Sequence, residues 1–363
     1  MPPQLIVPHG NNDLMIKMTT TPLAARILLA ALGATVAGCG GGGSEPSKSS
    51  VQSPTTITAT PTTPTTPTTP TPPSSGGMTA INVNNRAEVA AFYNATMLPA
   101  FSVPMQWTGS TAGCVAGTTS AEYKAAVVNT VNSFRVLAGL PGNVSLNSTH
   151  SAMAQQAALM MEANSQLSHS PPTSWNCYTT DGATAAGSSN LALGNAGPNA
   201  VRAYIADSGT SSLGHRRWVL YSRLGEVGTG DTTRANGLWV FGGTVAAPAS
   251  VAETGIAWPA RGYVPWTSKV ADPSQPWSFS LPGADFSGAS VAMSNDQGKA
   301  LSVGNVGPLP DGYGDNTMSW ALTADPSEWS RSPGDTKFNV QISNVKVGGQ
   351  AKSFQYSVTF FVP

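Results

Sequence analysis

The period of the hydrophobic pattern changes near residue 250, and that change constrains the fold more than any other feature of the chain. Before it, apolar residues recur at helical spacing. Val127, Val131, Phe134 and Leu137 share one helix face, Ser120 opens the run, and Gly139-Leu140-Pro141 ends it. A second helix is expected from Asn147 or Ser148, with Met153, Ala154, Ala157, Ala158, Met160 and Met161 as a broad packing face. A Gly/Ala/Ser loop is expected around Gly187, and a third helix over 199–206. After residue 250 the period becomes two. Trp277-Phe279-Leu281, Met318-Trp320-Leu322, Phe338-Val340-Ile342 and Phe354-Tyr356-Val358-Phe360 alternate with polar residues between Gly, Pro, Asn and Asp turns. Alternation of that kind predicts an all-β antiparallel sandwich.

The N-terminal part reads differently. Lys17 and Arg26 precede a short apolar run, Ile27 to Leu32, which continues through small residues to Val36-Ala37-Gly38-Cys39. A basic start, a short apolar core and a small-residue exit describe an export signal, too short to span a bilayer. The end of this segment resembles the lipobox of bacterial lipoproteins, which implies a lipid on Cys39. A Gly/Ser/Thr/Pro tract follows, with proline at every third residue in PTTPTTPTTPTPP. It cannot bury apolar surface and extends by roughly 3 Å per residue as a spacer. The expected order is a lipoprotein signal over 1–39, a disordered linker over 40–79, a first domain over 80–245 and the β-sandwich over 250–363.

The formal net charge is zero and only 10% of residues are charged. No basic patch is present, so no nucleic-acid partner is expected. With Cys39 assigned to lipid, Cys114 and Cys177 remain, and two cysteines in an exported chain form a disulfide. His169 in LSHSPP and His215 in GHRRWVLY each sit beside turn-forming residues. Paired imidazoles at the rim of an exported domain suit proton transfer or metal binding. Of the two arginines after His215, one is expected in an ion pair with Asp207 or Glu226 and the other in solvent. The tryptophans of the sandwich (258, 266, 277, 320, 329) and Tyr263 are expected in the core rather than as a sugar-stacking platform. Asp311-Gly-Tyr-Gly-Asp315-Asn316 reads as an ordinary turn, without the acidic spacing of a calcium loop.

Four stretches carry a resemblance to a known family. These are Asn132-Ser-Phe-Arg135 with Ala138-Gly139-Leu140-Pro141, then Leu167-Ser168-His169-Ser170, then Gly187 to Ala192, and Gly214-His215-Arg216-Arg217-Trp218. In order and spacing this block resembles the superfamily of cysteine-rich secretory proteins, antigen 5 and pathogenesis-related proteins. The resemblance implies an α–β–α sandwich, so the whole is expected to be α+β. It also implies a cleft holding two histidines and two acids. The histidines fall at His169 and His215. One acid position is Ser189 here, and Asp207 is the nearest match to the other.

Two functions compete on these residues. The first is a non-enzymatic module, anchored to a membrane through lipid. Its cleft of His169, Ser189, Asp207 and His215 would present a site for a lipid, a glycan or a cell-surface protein. No cofactor is required, though His169, His215 and Asp207 would offer a weak site for zinc or another divalent ion, since a serine replaces one carboxylate. The second is a hydrolase with Ser189 as nucleophile, His169 or His215 as base and Asp207 as orienting acid. Ser189 lacks the G-x-S-x-G elbow. The expected location is the bacterial cell envelope. Gly40 after Cys39 favours the outer membrane.

Overall fold

The computed structural model describes residues 77–331 and 333–363. The expected leader, Cys39 and the Ser/Thr/Pro tract lie outside them. Helix α1 (Arg86–Phe92) starts at Asn85, whose side chain accepts from the N–H groups of Ala87 and Glu88. A π-helical turn at Tyr93–Met97 leads into α2 (Leu98–Ala100). Next comes α3 (Ala121–Leu137), where the Ser120 hydroxyl accepts from Tyr123 N–H at 3.1 Å. Strand β1 (Ser145–Leu146) precedes α4 (Ser148–Asn164), capped by the Asn147 side chain.

Residues expected in a Gly/Ala/Ser loop instead form α5 (Thr180–Ser188). The reason is local and tertiary at once. Thr179 caps the Gly182 N–H at 3.0 Å, alanine is the best helix former, and Ala185 and Ala186 are wholly buried beside α4. Strand β2 (Ser189–Leu193), α6 (Gly197–Ala206), α7 (Gly214–Val219), β3 (Glu226–Asp231) and β4 (Ala235–Trp239) complete the first half.

These four strands form a sheet in the order β1-β3-β4-β2, antiparallel except for the parallel β1–β3 edge. On one face Ala157, Ala158 and Met161 of α4 meet Ala185, Ala186, Leu191 and Trp239. Helix α4 approaches β3 so closely that a Cβ on Gly230 would fall 2.0 Å from the Gln155 nitrogen. Only glycine fits there. The other face packs on α3 and α6 through Val127, Val131, Phe134, Val201, Ile205 and Leu238. The result is the α–β–α arrangement. Cys114 and Cys177 are disulfide-bonded across 63 residues. Closing a loop of that length restricts the unfolded chain by roughly 4 kcal/mol.

The second half runs α8 (Ala249–Thr254), β5 (Ile256–Trp258), β6 (Gly262–Pro265), β7 (Trp277–Ser280), β8 (Ala284–Asp285), β9 (Ser290–Asn295) and β10 (Ala300–Leu301). It continues with β11 (Val303–Pro308), β12 (Thr317–Leu322), α9 (Pro326–Trp329), β13 (Thr336–Val347) and β14 (Gln350–Phe361). One sheet has the order β10-β9-β13-β14-β6 with β8 also on β13, and the other β11-β12-β7-β5. All pairings are antiparallel except β6 on β14.

The two sheets meet where Trp277 contacts Phe338 and Phe360, with ring centroids 5.5 and 6.3 Å apart. Trp258, Trp277 and Trp320 are 1% exposed or less, so they are core. Burying such a side chain stabilises by roughly 3 kcal/mol. The two halves share this core. Phe134 of α3 packs edge-on against Trp258 of β5 at 5.6 Å. Consistent with that, the described residues fall in one compact unit.

Candidate functional site

The α6–α7 connection places a carboxylate against an imidazole. Asp207 ends α6 in the left-handed conformation with φ 44°, and Leu213 enters α7 with φ 48°. Aspartate tolerates that backbone region, whereas leucine adopts it only under constraint. The tight connection turns Asp207 back onto the first turn of α7. Its Oδ1 accepts from His215 Nδ1 at 2.8 Å and from the Thr210 hydroxyl at 2.8 Å, and its Oδ2 accepts from Arg216 N–H at 3.1 Å. Burial alone would raise the Asp207 pKa. The His215 hydrogen bond and charge, with the Arg216 and Thr210 bonds, outweigh it and hold this carboxyl below its usual range. The bond fixes the proton of neutral His215 on Nδ1 and leaves Nε2 as the free nitrogen.

His215 is held from two further sides. The Tyr204 ring stacks on it at 5.3 Å, and Asn190 Nδ2 donates to its backbone carbonyl at 3.0 Å. Tyr204 donates to Asn236 Oδ1 at 2.8 Å, and Asn236 Nδ2 donates to Asp231 Oδ1 at 2.8 Å. Asp231 is fully buried, and desolvation raises its pKa to about 6 against the hydrogen bonds from Gly197, Asn236 and Thr229. Sequence reasoning passed over Tyr204, Asn190 and Asp231. Asn190 lies inside the Gly187–Ala192 motif, where it was given no role, Tyr204 and Asp231 lie in none, and only the fold joins the three to His215.

His169 is exposed in the segment between α4 and α5, and its Nδ1 donates to Ala186 O at 2.8 Å. The two histidines are therefore tied to one short stretch, His169 at Ala186 and His215 at Asn190. Ser189 lies inside that stretch. Its hydroxyl is buried and makes no hydrogen bond, to either imidazole or to Asp207. The expected nucleophile–base contact is not formed. A serine hydroxyl ends two bonds short of where a glutamate carboxylate at this position would reach.

The expected metal set is not assembled either. Among the described residues no three His, Cys, Asp or Glu side chains group as metal ligands. Both Asp207 oxygens already accept hydrogen bonds, and His169 is held on Ala186.

The arginines after His215 correct another expectation. Neither faces solvent: Arg216 is 1% and Arg217 3% exposed. Arg216 donates to Ile205 O, Ala206 O, Pro276 O and Ser278 Oγ at 2.6, 2.8, 2.6 and 3.1 Å. Arg217 donates to the carbonyls of Ser212, Pro310 and Asp315. A planar fork of five donors is buried at acceptable cost when backbone carbonyls surround it. Burial still lowers the Arg216 pKa to about 10, partly offset by Asp207. Both arginines reach into the β half, so the sandwich braces the helix that carries His215. The 311–316 turn is part of that brace. Asp315 accepts from Ser222 N–H and Oγ, and the Tyr313 ring lies where a Cβ on Gly214 would stand, 2.7 Å away.

The one remaining histidine among the described residues is His150. It stacks on Trp239 at 4.2 Å, with Nδ1 3.7 Å from Glu226.

Residues 128–242 match the family model described as CAP, cysteine-rich secretory protein family. This segment is a CAP domain. It contains α7 and the Asp207–His215 pair, and the match stops short of the β-sandwich. No individual curated protein matches the sequence. A disulfide in a CAP-domain chain fits an oxidising, extracytoplasmic setting.

Proposed function

We propose that this chain is an envelope-displayed binding module. In this reading the CAP cleft around His169 and His215 receives a lipid, a cell-surface component or a partner protein, and the module acts without catalysis. Cys39 carries the lipid anchor, the Ser/Thr/Pro tract is the stalk, and the outer membrane is the anchoring site. The observation that carries the reading is the state of the cleft side chains. Asp207 orients His215 at 2.8 Å, while the adjacent Ser189 hydroxyl engages no base. An oriented imidazole with a free Nε2 recognises a polar head group. It has no activated nucleophile beside it for hydrolysis.

The test is capture from envelope extract by the full chain, with bound lipid and protein read by mass spectrometry. His169→Ala/His215→Ala is expected to lose the bound species, and Ser189→Ala to keep it. Capture that survives the double histidine variant removes the cleft from the reading. Ester or peptide hydrolysis that disappears in Ser189→Ala would establish the hydrolase instead.

A further inference from the structure

Asp231, at the end of β3, is wholly buried and contacts neither histidine of the cleft. Its main chain is fixed by Gln155 of α4, whose Oε1 accepts the Asp231 N–H at 3.0 Å and whose Nε2 donates to the Asp231 carbonyl at 2.7 Å. All three groups bonded to its carboxylate are donors. Gly197 N–H and Asn236 Nδ2 reach Oδ1 at 2.5 and 2.8 Å, and the Thr229 hydroxyl reaches Oδ2 at 3.0 Å. Three donors suit the ionised form, because a protonated carboxyl needs an acceptor and only the Thr229 hydroxyl can turn to become one. Hydrogen bonds to a charged acceptor are roughly twice as strong as neutral ones. A proton on Asp231 therefore weakens its hold on its donors.

Two of these donors belong to the frame around His215. Gly197 opens α6, and Asp207, which orients His215 Nδ1, closes it about 15 Å away. Gly197 has φ 52°, and a Cβ there would fall 2.1 Å from the Tyr123 hydroxyl, so this start of α6 requires glycine. Asn236 is the second. With its Nδ2 on Asp231, its Oδ1 is left to accept from the Tyr204 hydroxyl at 2.8 Å, and the Tyr204 ring lies on the His215 imidazole. One carboxylate thus holds the start of the helix that ends in Asp207 and the amide that tethers the ring stacked on His215. The titratable groups facing it are Tyr123 and Lys124 of α3 and Tyr204 of α6. Desolvation is the largest influence on Asp231 and raises its pKa to about 6, against the three hydrogen bonds and the charge of Lys124.

We infer that Asp231 is a proton-sensitive anchor of the cleft. Ionised, it holds the frame that aims His215; protonated, it lets that frame slacken, and the cleft releases what it holds more readily. Asp231 is thus a positioning residue, acting through Asn236 and Tyr204 on one route and through α6 and Asp207 on the other. The inference rests on the reading of His215 as a group that contacts the bound species.

The experiment is hydrogen exchange of the full chain, read by NMR between pH 5 and 7.5 at the Arg216 N–H, which donates to Asp207 Oδ2 at the far end of α6. Its protection factor, corrected for the intrinsic effect of pH, is expected to rise about fivefold over this range in the wild type. Asp231→Asn has no group to titrate there and is expected to lose that rise. The difference between the two profiles removes whatever His215 itself contributes. Tyr204→Phe keeps the stacked ring and cuts the tether to Asn236, and is expected to lower Arg216 protection severalfold at pH 7.5. A merely structural role gives the opposite sign. An ionised, buried Asp231 lowers global stability as pH rises, so amides that exchange by global unfolding lose protection over the same range. Arg216 protection that falls with pH in step with core amides of α4 overturns the inference. So does an equal rise in Asp231→Asn, or full protection in Tyr204→Phe. Capture from envelope extract, run at both pH values, is expected to lose severalfold more bound species on acidification in the wild type than in Asp231→Asn, and equal losses overturn the regulatory claim. Exchange is read without any bound species. Capture that survives His169→Ala/His215→Ala is therefore a separate result, which overturns the cleft reading and the release half of this inference with it.

Discussion

At the residue scale, the two carboxylates near His215 respond to pH in opposite senses. Asp207 is held below its usual range by His215, Arg216 and Thr210. Its contribution to stability is present above the unfolded carboxylate range, about pH 4, and is lost as pH falls through the depressed folded value. Asp231 is the reverse. Burial raises its folded pKa to about 6, so the folded chain holds that proton more tightly than the unfolded chain. This contribution is complete below about pH 4 and is lost as pH rises through about 6, on the order of 3 kcal/mol in all. Urea unfolding of the wild type between pH 4 and 6.5 is expected to carry a declining component. Asp231→Asn should flatten it, because asparagine can still accept from Gly197 N–H. Asp207→Asn should leave that window alone and flatten the fall below pH 4. Identical profiles for all three proteins would contradict this assignment of the slopes.

At the element scale, α7 is a six-residue helix that could not hold its place alone. It is fixed by what its two arginines reach. Arg216 ties the end of α6 to the start of β7 through carbonyls at Ala206 and Pro276. Arg216→Leu removes these donors and strands buried acceptors, an expected loss of about 3 kcal/mol or more in a denaturant titration. Arg216→Lys is expected to recover little, because a single ammonium cannot replace a planar fork. A midpoint close to wild type in Arg216→Leu would mean that α7 is held by its apolar contacts. The helix is also where sequence reading went furthest astray. Two adjacent arginines read as one ion pair and one solvated side chain, and nothing along the chain signals that carbonyls from residues 276, 310 and 315 will surround them.

At the scale of the whole molecule, the CAP domain and the sandwich share one core across Phe134 and Trp258. They are expected to unfold together, with tryptophan fluorescence and far-ultraviolet circular dichroism giving coincident transitions. A chain ending at residue 245 would expose Phe134 and leave both arginine forks without their partners in the β half. It is expected not to fold cooperatively. Two separated transitions in the full chain, or a native-like truncated protein, would show independent halves. Much of this architecture was legible beforehand. The caps at Ser120 and Asn147, the period-two strands and the pairing of Cys114 with Cys177 all rest on local chemistry or on simple counting.

The sequence by itself determined most of the elements, because helix caps, hydrophobic period and turn residues act over a few neighbours; α5, expected as a loop, is the exception, and its helix rests partly on burial against α4. It also determined the family of the first half, through four motifs in fixed order. The tertiary structure alone decided which side chains meet. It set Asp207 on His215, left the Ser189 hydroxyl unpaired, and buried Arg216 and Arg217 against carbonyls of the β half. The physical reason is reach. A hydrogen bond or ion pair acts over about 3–4 Å, and which groups come within that distance depends on how strands register and helices pack.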